Sequence, residues 1–376
     1  MSNSVRIGIV GVGQIGKMHL DRYQNIPGVE IVAVCDVNET EARRTAEAYG
    51  IDQVYTDFRE MLKRDDLMAV DVCLHNNFHA PVTILALEAG KHVYCEKPIA
   101  GSYADGKAMY DKAAETGKML HIQLSTLYRP ETKAAKTLID GGKLGRVYHA
   151  RSTGFRRRGR PFVDGYGTPY FTRKETAAGG ALLDMGVYHI AQMLYLLGNP
   201  EVQSISGKVY QEMDMPAERR DQSGFDVEEL AVGLVRLKGG ITLDLIEAWS
   251  VHMGGFEGGS IMGSQGGIRL PTEVSSGTFQ PFSYHSTVCD IDMDALVDLE
   301  KMDLRWHRLR EHESAYDSSQ HHWIASLRGQ VPLLPTADIA LRTMLISEGI
   351  YLSDQLGREV SAYETAELSI PRSVSV

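Results

Sequence analysis

Residues Gly11-Val12-Gly13-Gln14-Ile15-Gly16 restrict the start of this chain to very few folds. The apolar run Val5–Val10 precedes them and an amphipathic run, Ile15–Asn25, follows. A turn of this kind between a strand and a helix needs one glycine for its dihedrals and a second to let a pyrophosphate reach the backbone. A third allows close helix–strand packing. The helix N-terminus supplies amide donors and a dipole that favours phosphate. Asp36 follows Gly16 by twenty residues, at the end of the apolar run Val29–Cys35, where an acid accepts hydrogen bonds from the adenosine ribose. A carboxylate there repels a 2′-phosphate, and Val37-Asn38 offers no guanidinium, so NAD is favoured over NADP.

The alternation continues. Val70–His75, His92–Cys95 and Met119–Leu124 have strand character, and Glu39–Tyr49, Phe58–Arg64, Pro81–Ala89 and Tyr103–Thr116 have helical character. Ser102 is placed as an N-cap, and Gly90 and Gly117 as glycines that end helices. Continuously apolar strands alternating with helices imply a parallel, doubly wound sheet covered on both faces. The first domain is expected over residues 1–126.

Beyond it the rhythm changes. A helix at Pro130–Ile139 leads to a strand at Arg146–Ser152, a polar stretch at Gly154–Ala178 and an apolar helix at Leu183–Leu197. Long strands are expected at Val202–Met213, Val227–Lys238, Ile241–Val251 and Gly258–Ile268, with a hairpin at Lys238-Gly239-Gly240. Helices return at Ser318–Arg328 and Ala337–Leu356. Residues 127–376 are thus expected to form an α+β substrate-binding and oligomerisation domain on an open, mainly antiparallel sheet. The open face implies a homodimer or homotetramer.

Charge and composition exclude several classes. A net charge of −10 argues against a nucleic-acid binder, which needs clustered basic residues. Nothing reaches the apolar length of a membrane span. The N-terminus lacks the basic and apolar regions of a secretory signal. Cys35, Cys73, Cys95 and Cys289 contain no CxxC pair, and the first three fall in strands. They are expected to be core thiols in the reducing cytoplasm. His75, His79 and His321-His322 sit on separate elements without metal-ligand spacing, so no metal is expected.

At Tyr94-Cys95-Glu96-Lys97-Pro98 the chain resembles the glucose–fructose oxidoreductase, inositol dehydrogenase and MocA family. The likeness extends through Asn76-Asn77-Phe78-His79, Tyr128-Arg129-Pro130 and the run Gly179-Gly180-Ala181-Leu182-Leu183-Asp184-Met185-Gly186-Val187-Tyr188-His189. It continues in Gly349-Ile350-Tyr351-Leu352-Ser353 and Gly357-Arg358. Leu74-His75 replaces the family's usual Thr-Pro, and Ala178 stands where the first of three glycines is common. Tyr188 stands where a histidine is usual, with His189 one residue later. The resemblance implies a cis Lys97–Pro98 bond and a metal-free dehydrogenase or reductase. Its substrate would be a secondary alcohol or ketone of a sugar, polyol or related cyclic compound. With the glycine turn it nominates Gly11, Val12, Gly13, Gln14, Ile15, Asp36, Leu74, His75, Asn76, His79, Glu96, Lys97 and Gln123 for the cofactor.

Hydride transfer also needs a group that exchanges the hydroxyl proton. Lys97 follows the fifth strand, at the sheet edge where such folds bind ligands, and its ammonium suits the reacting oxygen. Asp184 and Tyr188, four apart, share one face of a regular helix. His189 is turned by about 140° from Asp184, at roughly 100° per residue. Tyr188 is therefore favoured over His189, unless a distortion near Gly186 turns His189 inward. Lys97, Asp184 and Tyr188 are expected at the substrate. In the basic run Arg156-Arg157-Arg158-Gly159-Arg160, Arg156 is the candidate for a substrate contact, against a solvated loop or subunit contact for the run as a whole. Two other functions use the same pattern: a glycosidase that reduces and reoxidises bound NAD within each cycle, and a non-catalytic NAD(P)-sensing regulator.

Overall fold

The computed structural model describes residues 4–275 and 278–376. Its contacts divide the chain into two units. The first comprises residues 1–124, 311–341 and 371–376, and the second residues 125–310 and 342–370.

The first unit begins β1 (Val5–Val10), α1 (Gln14–Gln24), β2 (Val29–Cys35), α2 (Glu39–Tyr49), β3 (Val54–Tyr55) and α3 (Phe58–Leu62). It continues β4 (Ala69–Val72), α4 (Asn76–Glu88), β5 (His92–Cys95), α5 (Tyr103–Thr116) and β6 (Leu120–Ile122). All six strands are parallel, in the order β3-β2-β1-β4-β5-β6. This is the doubly wound order, whose ligand crevice lies beyond the carboxyl ends of the strands. Caps fix the helices: Ser102 accepts from the Asp105 amide, and Gly117 ends α5 at a φ of 65°.

Helix α4 begins at Asn76, not at Pro81, and His75 belongs to its N-cap instead of a strand. Proline inside a helix removes one backbone bond. The carbonyl it releases, that of Asn77, accepts instead from the Val374 amide at 3.1 Å. A linear boundary at residue 126 therefore omits part of this unit's packing. Trp323 and Ile324 lie in the same apolar cluster as Ile7, Ile9, Leu20 and Tyr94. Tyr94 donates to Ser319 at 2.8 Å, and the Arg372 and Ser373 amides donate to Asp105.

In the second unit, α6 (Pro130–Asp140) precedes β7 (Val147–Phe155). The polar stretch that follows contains a short helix, α7 (Lys174–Ala177). A π-helical turn at Leu182–Gly186 then runs into α8 (Val187–Leu196). Next come β8 (Val202–Tyr210), α9 (Ala217–Ser223), β9 (Leu230–Leu237) and β10 (Ile241–Ala248). The expected strand Gly258–Ile268 is a hairpin, β11 (Ser260–Gly263) and β12 (Gly267–Arg269). Small strands β13 (Thr272–Ser275) and β14 (Thr278–Gln280), a hairpin of β15 (Ser283–Val288) and β16 (Ile291–Leu296), and helix α10 (Leu299–Arg310) were not foreseen from the periodicity.

The chain continues with α11 (Ser319–Leu327) in the first unit, then α12 (Thr336–Leu356), β17 (Val360–Ser361) and α13 (Ala362–Leu368). Nine strands form one sheet, β16-β15-β12-β11-β7-β10-β9-β8-β17, antiparallel except for the parallel pair β7–β10. Ile350 packs against Gly207 and Gly233 on one face, where neither glycine has room for a Cβ. Around Arg151, Lys208, Val232, Leu234 and Asp244 lies an open depression of about 660 Å³. Among the described residues no helix is long and apolar enough to cross a membrane.

Candidate active site

The glycine turn fits a dinucleotide. Gly11 has a φ of 91°, and a Cβ there would lie 2.4 Å from the Cys73 carbonyl oxygen. A Cβ on Gly16 would lie 2.0 Å from the Gly11 carbonyl oxygen. Gly13 differs: nothing lies within 4 Å of the position its Cβ would take, so the absent side chain leaves space for a ligand. No side chain caps α1, whose first turn contains Gln14 and Ile15, and its amides remain for an anion. Asp36 accepts from the Val12 amide at 3.0 Å and the Asn38 amide at 2.9 Å. Each of its oxygens keeps a second lone pair for a ribose hydroxyl.

The loops after β4 and β5 sit at the same sheet edge. Leu74, His75 and Asn76 are half-buried there, and burial lowers the pKa of His75. His79 is fully buried with its ring between the carbonyls of Pro98 and Leu74. It ties the two loops together and does not present its ring to a ligand. Gln123 is buried, and its backbone N–H donates to the Cys95 carbonyl. The Lys97–Pro98 bond is cis. Glu96 is buried, and its Oε2 accepts from the Lys97 amide at 3.0 Å, while Oε1 faces His19. Burial alone would raise the Glu96 carboxyl, but His19 and the Lys97 ammonium hold it below its ordinary value.

In the second unit the helix carrying Asp184, Tyr188 and His189 is not regular. Its π turn ends at Gly186, immediately before α8. A π turn bonds residues five apart, which changes the angular offset that separates Asp184 from His189 on an α-helix. Glu247 accounts for the crowding at this point: a Cβ on Gly186 would lie 3.0 Å from its Cγ. Asp184 Oδ2 accepts from Trp249 Nε1 at 2.9 Å and from Arg156 at 3.4 Å. His189 Nδ1 bonds the fully buried Glu247 Oε2 at 2.9 Å, and Ser152 donates to Glu247 Oε1. A carboxylate on Nδ1 selects the tautomer with its proton there, leaving Nε2 as the basic nitrogen.

Tyr188 and His189 line a cavity of about 880 Å³ with Thr126, Arg129, Arg156 and Gln192. Glu228 fixes the start of this segment. It is buried, and it accepts from the Gly180 and Leu182 amides and from Tyr351.

The basic run is not one solvated loop. Arg160 is buried, pairs with Asp164 and Glu229, and donates to the Met213 and Asp214 carbonyls. Arg156 bonds Tyr166 and Asp184, and Arg157 and Arg158 are exposed. Glu247 and Trp249 were missed in the sequence. They continue the inward parity of Leu243 and Leu245 along β10, and a carboxylate on an inward face signals a buried partner.

Residues 5–124 match an oxidoreductase family with an NAD-binding Rossmann fold, and residues 132–269 match the GFO/IDH/MocA C-terminal domain. The chain belongs to the glucose–fructose oxidoreductase, inositol dehydrogenase and MocA family. It is an NAD-dependent oxidoreductase of that family. A D-glucoside 3-dehydrogenase of Escherichia coli (strain K12) is 32% identical over 258 residues, 67% of this chain and 72% of that protein. An inositol 2-dehydrogenase of Salmonella paratyphi B is 35% identical over 153 residues, 39% of this chain and 46% of the relative. Among solved structures, a levoglucosan dehydrogenase in complex with NADH superposes with a TM-score of 0.80 at 20% identity. That match covers 96% of this chain and 99% of the other, and it supports the family's shared architecture.

Proposed function

We propose that this oxidoreductase interconverts a secondary alcohol and a ketone on a sugar, polyol or related cyclic compound. NAD, when bound, takes or returns the hydride. The carrying observation is the cavity that holds His189, with Glu247 on its Nδ1, beside Tyr188 and close to the Asp184–Trp249 pair. A neutral hydroxyl needs a base as it becomes a carbonyl, and an oriented imidazole is the usual choice.

In this reading His189 Nε2 takes the hydroxyl proton, and the Glu247 carboxylate favours the imidazolium that forms. Tyr188 hydrogen-bonds the substrate, and Asp184 and Arg156 accept from and donate to neighbouring hydroxyls. Lys97 donates to the reacting oxygen and stabilises its alkoxide character. Gly11, Val12, Gly13, Gln14 and Ile15 bind the pyrophosphate, and Asp36 binds the adenosine ribose. Leu74, His75, Asn76, Glu96 and Gln123 border the nicotinamide end. The π turn supports His189 over Tyr188 as the base.

The relatives that act on glucosides and inositol support the substrate class. Free thiols at Cys35, Cys73, Cys95 and Cys289 support a cytoplasmic location. The open depression on the nine-stranded sheet supports a homodimer or homotetramer.

The test is a panel of glycosides, free sugars and inositols with NAD and NADP in parallel, followed by the near-ultraviolet absorbance of the reduced nicotinamide. The reading expects net NADH formation with at least one cyclic polyol and a preference for NAD. Glycoside cleavage without net NADH would point to the internal redox cycle. Tight NAD binding with no turnover across the panel would point to the sensing regulator.

A further inference from the structure

One buried residue of the first unit, His19, has no part in the function proposed above. His19, on α1, is 1% exposed, and both of its ring nitrogens face carboxylates. Nδ1 is 2.9 Å from Asp71 Oδ2, and Nε2 is 2.9 Å from Glu96 Oε1. A neutral imidazole carries one donor and one lone pair, so one of these contacts would set a lone pair against an anionic oxygen. Only a ring with both nitrogens protonated satisfies both carboxylates.

The surroundings lead to the same protonation state. From β4 come Asp71, fully buried, and Cys73, whose sulphur lies 3.2 Å from Nδ1 and 3.3 Å from Asp71 Oδ1. From β5 comes Tyr94, edge-on to the ring at 5.6 Å, and then Glu96 followed by Lys97. Tyr23 of the same helix is held neutral by burial and by the Asp71 charge. Burial and Asp71 likewise push the Cys73 thiol up, so it stays protonated. The charged set is then two carboxylates against His19 and Lys97, which closes to neutrality. Burial works against the imidazolium and the Asp71 charge and hydrogen bond work for it, and the His19 pKa lies well above its ordinary value.

We propose that His19 is a positioning residue, a buried imidazolium that keeps Glu96 a carboxylate so that Glu96 fixes the Lys97 backbone and pairs electrostatically with its ammonium. The inference rests on the reading of Lys97 as the donor to the reacting oxygen. Without the His19 charge, two buried carboxylates share one cation and one of them takes up a proton. Where Glu96 is the one protonated, Lys97 loses a fixed acceptor and a stabilising charge.

The test reads the ring first and the rate second. In the full chain with ¹⁵N-labelled histidine, one imidazole disappears in His19→Gln. That ring should show both nitrogens protonated at about pH 8, well above the ordinary histidine value of about 6.5. Sequential assignment in the unsubstituted protein identifies the same ring if the variant does not fold. A neutral tautomer at that pH overturns the proposal.

For the rate, His19→Gln should lower kcat about tenfold or more, with KM and the NAD Kd within about threefold. The descending alkaline limb of its kcat profile should move to lower pH, because Lys97 gives up its proton more readily. In a Lys97→Met background the same change should cost less than about twofold, since a residue acting through Lys97 has nothing left to position. Losses that multiply overturn the route through Lys97. Undiminished turnover in Lys97→Met alone overturns the catalytic reading of Lys97 and the positioning role with it. A neutral ring beside an inactive Lys97→Met overturns the inference while leaving that reading intact.

Discussion

Gly154→Ala is the sharpest single perturbation of the proposed proton-accepting pair. Gly154 lies in β7 without a positive φ, so space and not backbone conformation requires a glycine there. An added Cβ would sit 1.9 Å from Glu247 Oε2, 2.5 Å from Met185 Cε and 2.7 Å from His189 Nδ1. The carboxylate is thus about 1.1 Å short of the 3.0 Å that real Cβ atoms keep, and the imidazole also has to give. Because the methyl wedges against both ends of the 2.9 Å bond, the pair cannot clear it and keep its alignment.

Overpacking of this kind costs about 1–3 kcal/mol. Breaking a buried hydrogen bond to a charged group adds about 1.5–3 kcal/mol. The expected loss of stability is therefore about 3–5 kcal/mol, partly relieved by movement of the Met185 side chain. A general base that is displaced forfeits about 10²–10⁴ in rate. Urea unfolding measures the first quantity and kcat at saturating NAD the second. Gly154 and the glycine turn belong to different units, so the NAD Kd should stay within about threefold. A variant that folds with normal stability and turns over at the normal rate would refute the space argument and the role of His189 together.

Four further outcomes are expected. Gly13→Ala should leave stability within about 0.5 kcal/mol, because nothing crowds its Cβ, while the NAD Kd measured by calorimetry rises at least about tenfold; an unchanged Kd would remove the pyrophosphate from that position. Trp249→Phe deletes the nearer of two donors to Asp184 Oδ2 and should lower kcat/KM about tenfold with NAD binding retained. Ala178 has a φ of 64°, a region that costs a side chain about 1–2 kcal/mol, so Ala178→Gly should raise the urea midpoint slightly and not lower it. His322 is buried, and burial lowers its pKa to about 4. The folded form therefore favours the neutral ring: stability is full above about pH 6.5 and is lost as pH falls toward 4. Between about pH 7.5 and 5 the loss is about 2 kcal/mol, which His322→Gln should remove from the unfolding curves.

The first unit was legible because its signals are local. Val5–Val10, Val29–Cys35 and His92–Cys95 have their bounds where apolar runs begin and end, and Ser102 and Gly117 cap α5 as their types require. Legibility failed where a distant residue compensates a local cost. Pro81 looks like a helix start, yet α4 begins five residues earlier because the Val374 amide takes the carbonyl that proline releases. No periodicity within residues 76–88 could show that. The packing of Trp323 and Ser319 with the first strands has the same character: it joins segments more than two hundred residues apart. The sequence suggests a distortion near Gly186 without its π form, since Glu247, which crowds Gly186, arrives on another element.

Asp71, Glu96, Glu228 and Glu247 share one physical logic. Each is a carboxylate 7% exposed or less, where an unpaired charge would cost several kcal/mol. Each is matched by donors brought from elsewhere: His19 for the first two, the Gly180 and Leu182 amides for Glu228, and His189 with Ser152 for Glu247. Such pairs add little net stability compared with apolar packing, so stability alone does not account for four of them. What they do supply is direction. A buried carboxylate fixes the orientation of its partner, and here the partners are a candidate base, the backbone of Lys97 and the start of the helix that bears Asp184. An acid at an inward position of an apolar strand, as in Ala69-Val70-Asp71-Val72 or Leu245-Ile246-Glu247, therefore marks the support of a site even when the site itself lies in another part of the sequence.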